Sequence, residues 1–239
     1  MLDAAAVKSL AHSLGADRCG IASAERFQEA PGGFRPRDIF PECRSVVVFL
    51  KAMPAALTRA VNPIPYSSTA YLIYAELDRL GLALARALEQ QGAAAIPLPC
   101  DVPYLHWDAA ASHGMGILSL RHAAQLAGLG RLGRNTLLVN DDLGNMVYIG
   151  AVLADAELEA DPPLEGSPCP EGCSLCQEAC PERALVGQSV IQARCRPRSI
   201  VTVGHDFPIY HCHECRSNCP LSAGKGRTPW RKGFRKPEG

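Results

Sequence analysis

An α/β layer domain followed by a small, cysteine-dependent domain is the fold class this sequence predicts. Three observations carry that prediction. Helix-type and strand-type patterns alternate through the first two thirds of the 239 residues; eight of the 11 cysteines fall between Cys169 and Cys219; and a breaker-rich stretch, Asp161 to Pro168, separates the two regions. The expected division is 1–160, 161–222 and a basic tail, 223–239. A chain of this length can bury a real core.

The elements follow in order. Asp3 is placed to cap a helix running to about Leu14, with apolar positions on one face. Cys19–Ala22 and Ser45–Leu50 read as strands, and the continuous Val-Val-Val-Phe-Leu run implies burial on both faces. Ser67 or Ser68 is the expected cap of a long helix with the stripe Ile73, Leu77, Leu80, Leu84, Leu88, ended by Gly92. A short strand is expected at 94–98, then a helix at about 118–127 that Gly128 stops in a left-handed conformation. Strands near 136–139 and 146–153 complete the layer.

Composition excludes several functions. Lys+Arg and Asp+Glu both number 24, so the whole protein has no net electrostatic grip on nucleic acid or membrane. No apolar run approaches the roughly 18–20 residues that span a bilayer. The opening Met-Leu-Asp-Ala-Ala-Ala-Val-Lys reads as a helix, not a secretory leader, so the expected location is cytoplasmic. There, an odd set of cysteines is poorly suited to disulfides and is available for metal. The tail from Lys225 to Gly239 carries six basic residues and one acidic one, the composition of a surface arm.

The cysteine spacing is Cys169-x3-Cys173-x2-Cys176-x3-Cys180-Pro181, then Cys195, then Cys212-x2-Cys215-x3-Cys219-Pro220. A cubane cluster needs four converging thiolates, and two-cluster ferredoxins supply three from one motif and the fourth from the other. On that logic Cys169, Cys173 and Cys176 take Cys219, while Cys180 joins Cys195, Cys212 and Cys215, giving two [4Fe–4S] clusters. Structural zinc, the competing reading, comes as Cys-x2-Cys pairs without the doubled Cys-Pro endings. Ferredoxins place two residues between the first and second cysteines; this chain has three. Cys19, Cys43 and Cys100 read as small core hydrophobes.

The remaining motif is Ala127-Gly-Leu-Gly-Arg-Leu-Gly-Arg-Asn-Thr-Leu-Leu-Val139. Its glycines allow close backbone approach to a ligand, and Arg131 and Arg134 suit phosphate or carboxylate. A tight helix-to-strand connection explains the same residues. The motif follows a helix rather than a strand, which argues against a dinucleotide site.

AGLGRLGRNTLLVN (127–140), DLGNMVYIGAVLAD (142–155), the eight-cysteine region, and the early segments LGADRCGIASA (14–24) and FPECRSVVVFL (40–50) together resemble the epoxyqueuosine reductases. The resemblance covers most of residues 10–222. It implies an α/β (α+β) nitroreductase-like cobalamin-binding domain followed by a two-cluster bacterial ferredoxin-like domain, a plan shared with reductive dehalogenases. It also implies a corrinoid reduced by the clusters, with Gly128, Gly130, Gly133 and Asn135 lining the cofactor and a low-potential electron donor upstream. The family's acid, an Asp, falls at Met115 when counted back from AGLG and at Asp101 when counted forward from Ala-Ile-Pro-Leu-Pro. Asp101 is the catalytic candidate; the insertion after it adds Tyr104, His106, Asp108 and His113 as further proton carriers. The family's helical-repeat domain has no counterpart after Cys219, so a tRNA substrate is not expected; a small molecule or modified nucleoside fits instead. Two rival readings keep the fold. One is an electron-transfer protein whose α/β domain docks a partner and binds no corrinoid; the other puts flavin in the pocket.

Overall fold

A computed structural model describes residues 2–224; the basic arm expected from Lys225 onward lies outside the described residues. The first part of the chain forms α1 (Ala4–Ser13), β1 (Arg18–Ser23), α2 (Pro36–Ile39), β2 (Ser45–Ala52), α3 (Ile64–Gln90) and β3 (Ala95–Leu98). Then come β4 (His106–Asp108), β5 (His113–Met115), α4 (Leu120–Leu126), β6 (Arg131–Leu132), β7 (Leu138–Val139) and β8 (Val147–Ala154). The cysteine-rich part adds α5 (Leu175–Glu178), β9 (Leu185–Val186), β10 (Ser189–Val190), α6 (Gln192–Ser199), β11 (Ile200–Val203), β12 (Phe207–Tyr210) and α7 (Glu214–Ser217).

The main sheet has the order β1-β2-β8-β3, and every neighbouring pair in it is antiparallel. An antiparallel sheet usually wets one face, but this one is covered on both. Val47 and Phe49 face a cluster built with Val7 and Ala11 of α1 and the α3 stripe Ile73, Leu77, Leu80, Leu84 and Leu88. Their neighbours Val46, Val48 and Leu50 face the opposite cluster, with Ala123 and Ala124 of α4. Strand side chains alternate between faces, so a strand between two helical layers must be apolar throughout. That is the physical reason for the unbroken Val-Val-Val-Phe-Leu run. No helix among the described residues is long and apolar enough to cross a membrane.

Several expectations shift in detail. Asp3 does cap α1, its Oδ2 accepting from Ala6 N at 3.1 Å. Neither Ser67 nor Ser68 caps α3, which begins at Ile64 behind Pro63. Ser67 is instead buried within the helix and its Oγ accepts from Tyr210 N at 3.0 Å. Proline at the helix entrance needs no donor there, so the chain starts the helix a turn earlier than the serines suggested. The strand expected at 136–139 shrinks to Leu138–Val139, because Thr136 sits at φ 63° inside a turn. The stretch 155–174 holds no helix or strand. It is nonetheless tied down: Asp161 accepts from Ile21 N at 2.9 Å and from Lys8 Nζ at 2.8 Å.

Gly150 of β8 shows how tightly the layers close. A Cβ there would lie 2.3 Å from Cε2 of Phe49, which is itself buried. Gly150→Ala should therefore cost about 1–3 kcal/mol of stability by overpacking. Phe49→Leu should remove part of that cost, so the double variant in denaturant titration should be less unstable than the two single changes summed.

Candidate functional site

Two groups of cysteines form near the end of the sheet where the chain enters β8: Arg216 lies on Tyr148, and Gly144 packs on Leu221 and Ser222. Cys169, Cys173, Cys176 and Cys219 line one hollow with Gly133 and Asn135; its empty volume, open mouth included, is about 310 Å³. Cys219 comes from the last motif, yet it stands with the first three cysteines. Cys195 has the thiols of Cys212 and Cys180 as neighbours, and Cys215 has those of Cys195, Cys212 and, from the other group, Cys176. Cys180 thus stands with the later cysteines, and Cys176 and Cys215 lie where the groups adjoin. Burial, and then the neighbouring thiols, push Cys219 up to about 11, although a backbone bond to Leu221 pulls the other way. Burial likewise pushes Cys215 up to about 12 against the pull of Arg216. Among the described residues, no three His, Cys, Asp or Glu side chains close on a point tight enough for a single metal ion. A cubane holds its four thiolates at separate corners and so needs a wider set.

The glycine-rich connection splits into two jobs. Its turn at Gly133–Thr136, closed by Thr136 N donating to Gly133 O at 2.8 Å, presses onto the cysteines. Arg134 N donates to Cys169 Sγ at 3.3 Å, the Arg134 guanidinium donates to Cys173 O at 2.7 Å, and Asn135 Nδ2 donates to Cys215 O at 3.2 Å. Arg121 on α4 holds the strained Thr136 from behind, donating to its O at 2.6 Å and its Oγ1 at 2.9 Å. Gly128 and Gly130 do not line the hollow. A Cβ at Gly128 would lie 2.5 Å from Pro162 O, and one at Gly130 would lie 2.6 Å from Val139 O. Both are needed for close backbone approach. Arg131 pairs with Asp141 at 2.7 Å, leaving Arg134 as the arginine of the motif that meets the cysteines.

Asp101 lies just after β3, in a setting that no spacing rule indicated. Tyr210 OH donates to its Oδ2 at 3.0 Å and Tyr104 OH to its Oδ1 at 3.2 Å. Tyr74 OH lies 3.3 Å from Tyr210 OH, and the Tyr74 ring meets Tyr148 edge-on at 5.0 Å. Tyr148 OH reaches Tyr66 OH at 3.5 Å, Tyr66 stacks on His213 at 4.3 Å, and Tyr71 packs 5.6 Å from Tyr210. The chain has six tyrosines, and all six belong to this one cluster. Burial holds Tyr74, Tyr148 and Tyr210 as phenols well above their ordinary range. The only sequence signal was the helical spacing of Tyr66, Tyr71 and Tyr74, which does not reveal the partners from β8 and β12.

The other proton-carrier candidates fare differently. Asp108 is occupied by the turn it starts, accepting from Ala110 N and Ala111 N. His106 pairs across the β4–β5 hairpin with Met115 and packs on Phe34 at 4.8 Å, while His113 is exposed. Among them, Tyr104 bonds Asp101. The hairpin itself docks on α6, which carries Cys195. Gln192 bonds both Gly114 N and Gly114 O at 3.1 Å, and the Arg196 guanidinium lies 5.1 Å from the Tyr104 ring and 5.0 Å from Trp107. An open groove of about 720 Å³ runs between α3 and the β11–β12 hairpin, with Tyr71, Leu72, Ser68 and Phe207 on its walls.

Sheet, paired cysteine groups and a tyrosine-held aspartate define the class: a thiol-rich module packed on an antiparallel α+β layer. The comparisons give that class its relatives. No family model matches the chain. Epoxyqueuosine reductase of Staphylococcus aureus is 35% identical over 120 residues, 46% of this chain and 31% of that protein. The Bacillus cereus enzyme of the same name aligns over 89% of this chain and 62% of its own length at 25% identity. The solved epoxyqueuosine reductase of Streptococcus thermophilus has a TM-score of 0.65, covering 94% of this chain and 68% of that one at 19% identity. A catabolic reductive dehalogenase has a TM-score of 0.68 over 91% of this chain and 31% of its own, at 20% identity. The chain is epoxyqueuosine reductase-like in sequence and in fold, and it spans less than two thirds of the curated relatives it matches.

Burial also raises the three outlying cysteines, pushing Cys19 up to about 12, Cys43 up to about 11, and Cys100 upward as well. Thiols so protonated are poor nucleophiles. In native, metal-free protein at pH 8, an alkylating reagent should label the half-buried Cys169, Cys173 and Cys180 first. Cys19, Cys43 and Cys100 should react only after denaturant is added, as read by peptide mass spectrometry.

Proposed function

We propose that the chain is an iron–sulfur reductase in which two [4Fe–4S] clusters pass electrons to a corrinoid. The observation that carries this reading is the sorting of eight thiols into two groups that exchange Cys180 and Cys219. The donor set fits: all-thiolate, four to a group, each group touched by a backbone N–H, Arg134 N on Cys169 and Ala184 N on Cys180 at 3.3 Å. Such N–H···S contacts are among the means by which a protein adjusts cluster potential. Cys169, Cys173, Cys176 and Cys219 hold one cluster; Cys180, Cys195, Cys212 and Cys215 hold the other. Support for the corrinoid comes from the likeness to the epoxyqueuosine reductases and to a protein described as a B12-dependent reductive dehalogenase.

The groove between α3 and β11–β12 is the seat we assign to the corrinoid. Its apolar walls and serine suit a flat ring with polar edges, and Tyr71 in its wall touches the Tyr210 that bonds Asp101. When bound, a corrinoid supplies a low-valent metal centre for reductive bond cleavage. Reductive cleavage of a carbon–heteroatom bond takes two electrons and at least one proton, and two clusters hold one electron each. Asp101 holds the proton-donating position, its two oxygens oriented by Tyr104 and Tyr210. Tyr210, in hydroxyl contact with Tyr74, keeps that carboxyl group oriented. Gly133 and Asn135 serve the cluster side and not the corrinoid. The electron donor is a low-potential protein or reagent.

Anaerobically reconstituted protein should bind about eight irons and about eight acid-labile sulfides per chain. Zinc without labile sulfide would overturn the cluster assignment. Cys180→Ser should disturb the paramagnetic signal of the Cys195 group and leave that of the Cys169 group intact. Leu72→Trp, at an exposed groove position, should weaken retention of added cobalamin on desalting without loss of iron. Asp101→Asn should keep both clusters and lower turnover by about 10²–10⁴-fold. Single-turnover assays with an epoxyqueuosine-bearing tRNA stem loop and with a halogenated phenol, each with cobalamin and a low-potential reductant, measure that loss. Unchanged turnover in the variant would remove Asp101 from the mechanism.

A further inference from the structure

Arg216 is the one guanidinium of the described residues that the fold buries. It follows Cys215 on α7 and is 9% exposed, and its Nη1 has no hydrogen-bond partner. Its guanidinium lies 5.0 Å from the centre of the Tyr148 ring. Its neighbours are Tyr66, Tyr148, Cys215 and Tyr74, and no carboxylate is paired with it among the described residues. Burial keeps Tyr74 and Tyr148 as neutral phenols, so they offer it no counter-charge, and Tyr148 offers its π face. An isolated buried cation is costly and arginine does not relieve the cost by losing its proton. The anionic partner within reach is the thiolate group that contains Cys215.

We propose that Arg216 is the buried counter-charge of the cluster held by Cys180, Cys195, Cys212 and Cys215, and that it raises the reduction potential of that cluster above its neighbour's. The inference rests on the cluster assignment above. Reduction adds one negative charge to a cubane, and a fixed cation in a water-poor site stabilises the reduced form more than the oxidised one. Backbone bonds to sulfur reach both groups, Arg134 N on Cys169 and Leu221 on Cys219 in one and Ala184 N on Cys180 in the other, and they do not single out the buried group. Charge does. Arg134, beside the Cys169 group, is half-exposed to solvent that screens it, whereas Arg216 is enclosed and Arg196 adds a second positive neighbour to Cys195. The element bearing Arg216 also brings His213 against Tyr66, so the cluster made easier to reduce is the one nearest the tyrosine cluster around Asp101. Electrons entering at the Cys169 group therefore run downhill across the Cys176–Cys215 junction toward the substrate side.

The experiment is an anaerobic redox titration of reconstituted protein followed by paramagnetic resonance, in the native sequence, Arg216→Gln and Arg216→Lys. Iron content and circular dichroism are measured on each. Arg216→Gln should lower the potential of the Cys195-group cluster. The reduced-to-oxidised ratio at the native midpoint should fall at least tenfold, which is 59 mV for a one-electron couple. The other cluster should move less, and Arg216→Lys, which keeps the charge, should stay near the native value. An unchanged potential in Arg216→Gln, or an equal shift of both clusters, would overturn the proposal. If Arg216→Gln fails to hold clusters, the native order decides: the signal abolished by Cys195→Ser must be the first to appear on reduction, and its appearing last refutes the inference. Native protein that holds no iron would instead defeat the cluster assignment itself.

Discussion

The turn at Gly133–Thr136 is the contact on which the candidate site depends. The cysteine-rich segment buries few side chains: within it only Cys176, Ala184, Ile209 and Arg216 are nearly enclosed before the closing Ser222 and Ala223. A segment so poor in core has little apolar burial to offset the entropy of ordering it. What orients it is a rigid turn on the sheet layer, bonded to Cys169, Cys173 and Cys215 and gripped from behind by Arg121 on α4. Both cysteine groups meet this one turn, so its geometry sets their relative position. Metal bound by the thiolates would contribute the remaining folding free energy.

A second constraint is polar. Asp101, six tyrosines, His213 and Arg216 are drawn together from α3, the loop after β3, β8, β12 and α7. Buried hydroxyls must find partners, and here they find one another and Asp101, which gives a connected network with few free terms. Tyrosine suits this role because its ring packs as apolar surface while the hydroxyl keeps a bond. The network spans the interval between the Cys212–Cys219 motif and Asp101. The β4–β5 hairpin closes the same region from outside, with Tyr104 on Asp101 and Trp107 against Arg196 on the helix that bears Cys195. Insertion of that hairpin explains why counting back from the glycine-rich motif reached Met115 while counting forward reached Asp101.

Much was legible without coordinates. Local rules placed Asp3 as a cap, strands at 19–22 and 45–50 within the observed β1 and β2, the α3 stripe, and Gly128 as a helix stop, because each depends on neighbours within a few residues or on simple periodicity. The cysteine spacing was informative for the same reason: covalent nearness restricts which thiols can meet. Helix entry at Pro63 was misjudged because Ser67 is committed to a distant partner, Tyr210 N, and capping preference yields to tertiary bonding. The glycines of 128–133 could not be sorted by motif. Gly128 and Gly130 answer to backbone atoms of Pro162 and Val139, and Gly133 answers to the hollow beside Cys169.

The sequence by itself determined which chemistry is present: eight clustered thiols, two Cys-Pro endings, a buried two-faced strand and a candidate acid at Asp101. Only the tertiary structure decided where that chemistry is directed. It fixed both cysteine groups to the turn at Gly133–Thr136, surrounded Asp101 with tyrosines from remote elements, and enclosed Arg216 without a carboxylate. The physical reason is range. Propensity, periodicity and motif spacing act along the chain, whereas burial, counter-charge and hydroxyl pairing are properties of a place, and a place exists only after distant segments have packed.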